Sequence, residues 1–435
     1  MFERFIQLIF SISILIIIHE LGHFIFSILF KVRVEKFFLF FNPWFSIIKK
    51  KIGKTIYGIG WIPLGGYIKI SGMVNDEKEI PLKKWEFRSK SPIKKFLIIS
   101  GGIIFNIFLS IIIFSLLTFK YGESNLPIKN VPYGIEVNNI GYKIGLKNGD
   151  KILSINNEPC YYFNNLTRLI LLGDTIVINR NGKVINLLLY DKKKFFFNES
   201  KLSLFLQPRV PPIIDKVIKK SYADKYKLYS NDEILTINYY PIMFRDQLRN
   251  IIDNNKGKNI VIGINRNGNF IKKTIPFNYK NIIGVHLKNF LGIHKIFSIE
   301  KKNYSIINSF LHSFIKSWII LKNQISFFKN IFDLNTKAYK QIGSFFSIAK
   351  EFPNTWNWYI FWNITATLSI WLAFINFLPI PSLDGGYIVF ILLEMIIGKK
   401  YSEIILKRVT NIGFLIISFL MIIVLVWDIF KFFFN

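Results

Sequence analysis

Three ionisable side chains interrupt a stretch that is otherwise suited to lipid. Residues 5–30 are apolar except around His19, Glu20 and His23. The stretch is long enough for a helix across a bilayer core, which takes about 20 residues. Each charge inside it costs about 2.5 kcal/mol or more if unpaired. In His19-Glu20-Leu21-Gly22-His23 the two histidines are four residues apart and share a helical face. Two imidazoles can then grip one metal ion while Glu20 stands beside it to move a proton. A polar patch that merely glues helices together is the plainer alternative, but it leaves three costly groups without a strong partner.

Three other stretches are apolar enough to span: residues 97–119, 358–380 and, with its Phe-rich continuation, 412–427. Residues 387–397 are too short to span, carry Glu394, and read as a half-buried or interfacial helix. A cleaved signal peptide fits the first stretch poorly: the apolar run is too long, polar residues break it, and no small-residue cleavage site follows. The composition agrees with a membrane chain. Apolar residues make up 51% of the 435 positions and charged residues 19%, against about 25% charged in soluble domains. Such apolar content excludes disorder, and the single Cys160 excludes a disulfide scaffold. The net charge of +30 is scattered rather than gathered on one face, so it reads as Lys-rich compositional drift, with no nucleic acid partner expected.

Orientation follows from the short loops. Residues 31–95 hold 15 Lys/Arg against 5 Asp/Glu and belong in the cytoplasm. The N-terminus and residues 121–357 then lie outside, and the stretch with Lys399, Lys400, Lys407 and Arg408 lies inside. From Phe5 to His19 a helix rises roughly 21 Å, which puts the metal in the cytoplasmic half of the core.

A zinc enzyme needs a third protein ligand and one position for water. His286, His294 and His312 fall on the outer side and read as ordinary histidines. The third apolar stretch runs inward and ends Asn376-Phe377-Leu378-Pro379-Ile380-Pro381-Ser382-Leu383-Asp384-Gly385-Gly386. Its prolines stop a regular helix while still near the membrane, which is tolerated only where backbone is buried or lines a wet cavity. Asp384 is thereby delivered to the inner half of the bundle as the third ligand, a helix cap at the surface being the plainer reading.

The outer region contains a repeat. Leu146, Asp150, Ile152, Leu153, Ile155, Asn156 and Pro159 recur 82 positions later as Leu228, Asp232, Ile234, Leu235, Ile237, Asn238 and Pro241, and 178–182 recurs as 264–268. Each copy reads as turn, strand, helix and a strand ending in a tight Asn-Gly turn. The run from Gly145 to Asn156 resembles a PDZ domain of the circularly permuted kind found in bacterial proteases. The second copy lacks two of its glycines. The resemblance implies peptide binding by strand addition, against a pair of inert spacers. Beyond it, Phe314, Trp318, Leu321, Ile325, Phe328 and Phe332 recur at helical spacing. This amphipathic helix is expected to lie on the outer leaflet rather than pack under the repeats.

Taken together, these motifs resemble the site-2 protease family of intramembrane zinc metalloproteases, of the bacterial type with tandem PDZ domains, over nearly the whole chain. The family's H-E-x-x-H falls on His19, Glu20 and His23, and its N-x-x-P-x-P-x-L-D-G on Asn376, Pro379, Pro381, Leu383, Asp384 and Gly385. Its G-x-G and membrane-dipping hairpin resemble Gly58 to Tyr67. Its second-span G-P-x-x-N keeps Gly102 and Asn106, with Ile103 in place of proline.

The implied fold is a polytopic α-helical membrane protein with four transmembrane helices, a cytoplasmic membrane-associated β-hairpin region and two PDZ-like α+β domains. Its segments are a first span (1–31), the cytoplasmic loop (32–95), a second span (96–120), PDZ-like domains (121–210 and 211–290), an amphipathic helix and linker (291–357), a third span with the LDG motif (358–386), a short cytoplasmic helix and loop (387–411) and a fourth span (412–435).

The implied activity is regulated intramembrane proteolysis at the inner membrane. Zn2+ is held by His19, His23 and Asp384, with Glu20 as the base; N/O ligation in a hydrolase favours zinc over iron or cobalt. A substrate helix must be drawn out as a strand, for which residues 58–67, with Gly58 and Gly60, offer an edge, and Asn376 and Asn106 bind freed backbone groups. The implied partners are the bilayer, peptide segments at the PDZ-like domains, and single-span membrane proteins such as an anti-sigma factor already shortened outside, or signal-peptide remnants. Two alternatives are a catalytically inactive PDZ-containing membrane scaffold and a transporter, which would show repeated membrane halves.

Overall fold

The computed structural model describes residues 2–73, 83–189, 205–254, 259–276, 283–293, 296–331, 345–380 and 383–398. The expected fourth span, Lys399, Lys400, Lys407, Arg408, His294, Phe332 and Pro381 lie outside the described residues. The chain forms two units. One contains Met1–Gly122, Asn303–Asn330 and the residues from Ile342 onward; the other is built on Glu123–Lys302.

In the first unit three helices are long and apolar enough to cross a membrane: α1 (Phe2–Leu29), α2 (Pro92–Tyr121) and, later in the chain, Trp358–Phe377. Pro92 opens α2, where its missing N–H goes unmissed. Gly122 closes it at φ +68°, its N–H bonded to the Thr118 carbonyl. α1 and α2 cross at Gly22 and Gly101, where a Cβ on either would overlap the other's backbone. Small residues allow this approach in an apolar solvent, where close packing rather than hydrophobicity draws helices together.

Between these helices lies a four-stranded sheet of β1 (Val34–Phe41), β2 (Ile48–Ile52), β3 (Thr55–Ile59) and β4 (Ile62–Ile70) in the order β2-β3-β1-β4. This corrects the expected hairpin at residues 58–67. β3 and β4 do not pair with each other; β1 lies between them, parallel to β3 and antiparallel to β4. The reason is visible at the turn. Gly60 and Trp61 donate their N–H groups to the Leu39 and Phe41 carbonyls, so the chain crosses over β1 instead of folding back on β3.

The remaining helices of this unit are α3 (Ile306–Ile331), α4 (Phe345–Glu351), α5 (Trp358–Phe377) and α6 (Asp384–Ile397). α5 is capped by Asn357, whose Oδ1 accepts from Ile360 N–H at 3.0 Å, and stops two residues before Pro379. α6 docks on α2 through Ile388 and Ile391 against Ile98 and Ile99. A buried ion pair adds to this contact: Lys95 Nζ lies 2.8 Å from both carboxylate oxygens of Glu394.

α3 overturns the expected surface helix. Its buried face is Ser309, Ser313 and Ser317, four residues apart, while Phe314, Trp318 and Ile325 point outward. Ser317 Oγ lies 3.3 Å from Ser110 Oγ of α2. Ile320 and Leu321 pack with Ile113, Phe114, Ala366 and Ile370, and the Phe328 ring meets Phe374. α3 therefore lies along α2 and α5. Its small serine face makes the helix–helix contact, and its large apolar residues stay on the outside.

The second unit contains two α+β modules with the same strand plan. In sheet order the strands of the first are Lys183–Leu188, Thr175–Arg180, Lys151–Ile155 and Glu158–Pro159; those of the second are Asn269–Pro276, Asn259–Arg266, Glu233–Ile237 and Tyr240–Pro241. A helix, Leu166–Leu172 or Arg245–Asn254, joins the corresponding strands. The repeated aspartate is buried in both. Asp150 accepts from Arg180 Nε and Nη2 at 2.7 and 2.8 Å, and Asp232 from Arg266 at 2.7 Å twice. The two glycines missing from the second copy are replaced by Lys227 and Asn231, which keep the positive φ of Gly145 and Gly149. Ile293 and Phe297 are buried in the first module's core, so residues 291–357 do not begin as a linker.

Candidate metal centre

His19 and His23 leave α1 one turn apart, with Nε2 atoms 3.3 Å apart. Asp384, the first residue of α6, brings Oδ2 to 3.2 Å from His19 Nε2 and 3.3 Å from His23 Nε2. Gly385 makes this delivery possible: a Cβ there would overlap the Phe377 and Leu378 carbonyls, so only glycine lets α6 start so close to the end of α5.

The three ligand atoms form a nearly equilateral triangle. Bonds of about 2.0–2.1 Å meeting at a tetrahedral ion separate the ligand atoms by about 3.3–3.4 Å. Asp384 Oδ2 is buried with, among the described residues, no partner beyond these two imidazole nitrogens, and buried polar atoms are normally satisfied. The donor set of two imidazoles and one carboxylate suits zinc and leaves a fourth position open for water. The residues present fit the ion.

The far side of each ring turns to α2. His23 Nδ1 lies 2.9 Å from the Ile98 carbonyl. That oxygen only accepts, so the ring proton sits on Nδ1 and the Nε2 lone pair faces the triangle. His19 Nδ1 lies 3.2 Å from Nδ2 of Asn106. Gly102 gives both rings their seat; a Cβ there would overlap the His19 ring and come within 2.7 Å of His23 Nε2.

Glu20 is buried and neighbours β4. A Cβ on Gly66 would lie 3.7 Å from Glu20 Cγ and would strike Ile16, so the strand's bare backbone passes against α1 beside the carboxylate.

Asn106 is fully buried, and its amide faces His19. Two of the expected substrate contacts are corrected. Gly58 lies in β3, paired with Phe38 on one side and Lys49 on the other. Gly60 gives its N–H to Leu39. Neither glycine lies on an open edge. The strand with one unpaired side near Glu20, among the described residues, is β4. Asn376 is buried on the last turn of α5. His286 and His312 are absent from the metal-ligand group.

The Ile98 carbonyl and the Lys95–Glu394 pair were not read from the sequence. Gly102 was read as a motif residue, without its role as the seat of the two rings.

The profile of peptidase family M50 matches residues 7–420. The chain is 27% identical to the regulator of sigma-E protease RseP of Escherichia coli (strain K12), over 94% of this chain and 95% of that one. It is 26% identical to the regulator of sigma E protease of Haemophilus influenzae, over 93% and 94%. A Borreliella burgdorferi protein named "Putative zinc metalloprotease" is 28% identical over 90% of both chains.

Proposed function

The chain belongs to peptidase family M50, and from that membership we propose that it cuts single-span membrane proteins within their transmembrane segments. It is a metalloendopeptidase with zinc as cofactor. The ligands in this reading are His19, His23 and Asp384, and the observation that carries it is their triangle of ligand atoms 3.2–3.3 Å apart.

When bound, zinc supplies a Lewis acid and lowers the pKa of a coordinated water. The protein's own groups do the rest. Glu20 takes the proton from the attacking water and returns it to the nitrogen of the leaving amine. Ile98 holds the His23 ring in its metal-facing tautomer. A substrate helix has its carbonyls bonded internally, so it must open into a strand to offer a peptide bond. The free side of β4 receives that strand by main-chain hydrogen bonds, and Gly66 keeps it close to Glu20. Asn376 binds freed backbone groups of the opened substrate.

By the positive-inside rule the basic sheet region lies in the cytoplasm and the metal sits in the inner half of the membrane. The two α+β modules are then periplasmic PDZ-like domains that gate substrates. A cavity of about 280 Å³ in the first, lined by Ile128, Val131, Gly134, Ile152, Phe163 and Leu166, has room for apolar peptide side chains. Substrates in this reading are anti-sigma factors already trimmed outside, or remnants of signal peptides.

The test is cleavage of a tagged single-span protein by the full-length enzyme and by Glu20→Gln. Cleavage is expected to fall about 10²–10⁴-fold while zinc content stays stoichiometric. Equal cleavage by the two proteins would remove Glu20 as the base.

A further inference from the structure

Asn106 lies in the middle of α2, fully buried, with its amide nitrogen toward His19 Nδ1 and its Oδ1 without a partner. Its backbone is pinned: Ser369 Oγ of α5 donates to its carbonyl at 2.7 Å. The side chain can therefore change what it offers the ring mainly by rotating its amide, whose two ends have almost the same shape.

Each amide orientation matches one tautomer of His19. With the NH2 toward the ring, Nδ1 must accept, and the ring proton sits on Nε2, where it points at Asp384 Oδ2, 3.2 Å away. With the oxygen toward the ring, Nδ1 carries the proton and donates it to Oδ1. Only this second state leaves a lone pair on Nε2 for a metal. If a metal bound Nε2 while the NH2 still faced the ring, two donors would meet in a buried site.

We propose that Asn106 is a positioning residue that selects the metal-binding tautomer of His19, its amide turning so that Oδ1 accepts from Nδ1–H when the ion is held. The inference rests on the metal reading above. It makes Asn106 the side-chain counterpart of the Ile98 carbonyl at His23, so that both ligand histidines are oriented from one helix.

The test uses the full-length protein in detergent with Asn106→Leu and Asn106→Asp. Zinc affinity is read by competition with a chelator, and the visible spectrum of the cobalt-substituted protein reads the ligand set. Leu has a similar volume and no acceptor. It is expected to weaken zinc about 10–100-fold, the usual effect of losing an outer partner, and to alter the cobalt spectrum. Asp accepts but cannot donate when ionised, and is expected to hold zinc at least as tightly as the parent.

A Leu variant that binds zinc like the parent overturns the inference, as does an Asp variant weakened tenfold or more, since the donor would then be what matters. If the Leu variant does not fold, the Asp variant decides alone. A parent protein that binds no zinc would instead overturn the metal reading itself.

Discussion

Aspartates with buried carboxylate oxygens occur in both units of the molecule, and they are treated in opposite ways. In the repeat unit Asp150 accepts two bonds from Arg180 and a third from the Lys147 N–H, and Asp232 has the same three partners in Arg266 and Tyr229. In the helical unit the buried Oδ2 of Asp384 has, among the described residues, no neighbour of opposite character beyond two histidine nitrogens. A satisfied buried carboxylate holds a fold together. One left short of partners among other acceptors is a place for a cation. Residue type is shared, and the difference in partners is what separates a structural acid from a ligand.

The contrast can be broken most sharply at Asp384. Asp384→Ala should reduce zinc affinity by more than the roughly 100-fold ceiling for an outer partner, abolish proteolysis, and leave the repeat unit's melting unaltered. Metal analysis and calorimetry on the same sample would check both halves. Asp150→Ala should do the reverse. It takes the buried acceptor away from Arg180 and from the Lys147 N–H, at a cost of about 1–3 kcal/mol to the first module, with zinc content unaffected. Removing both partners in Asp150→Leu/Arg180→Met should recover part of that loss, because the desolvation cost of the buried carboxylate goes with it. Denaturant melts of the single and double variants would show it.

The smallest effect is expected at Cys160, free among the described residues and half-buried against the first module's core. Burial pushes its thiol up from the ordinary value. Alkylation near pH 7 should therefore be slower than for a free thiol and should rise with pH as the thiolate forms. A colorimetric thiol assay across pH would reveal any opening of that module, and no difference from a free thiol would mean the core is loose there.

Much of this was legible before any coordinates. Charges inside an apolar helix are costly enough to betray a purpose, so His19, Glu20 and His23 stand out, and the prolines beside Asp384 mark where a helix must stop. The repeat is legible because its identical residues are the ones that make its ion pairs and turns: Asp150 with Arg180, Asp232 with Arg266, and the Asn-Gly turns at 181–182 and 267–268.

Strand order was not legible. Placing β1 between β3 and β4 is decided by backbone bonds from Gly60 and Trp61 that no side-chain pattern encodes. The serine face of α3 was not legible because the helical spacing of its large apolar residues draws the eye to the opposite side. Lys95 and Glu394 are 299 residues apart, and nothing local to either announces the other. The closeness of Asn106 to His19 was not legible either, since a motif position says nothing about which way an amide faces.

The crossing of α1 and α2 at Gly22 and Gly101 has a mechanical consequence. Main chain rests on main chain there, so the spacing between the two rods is fixed by the least compressible parts of the polypeptide. No rotamer change can widen it. The imidazoles on one rod and the carbonyl that steadies one of them on the other thus keep their registry through thermal motion. Any loosening of the catalytic cage has to come from the rod that carries Asp384.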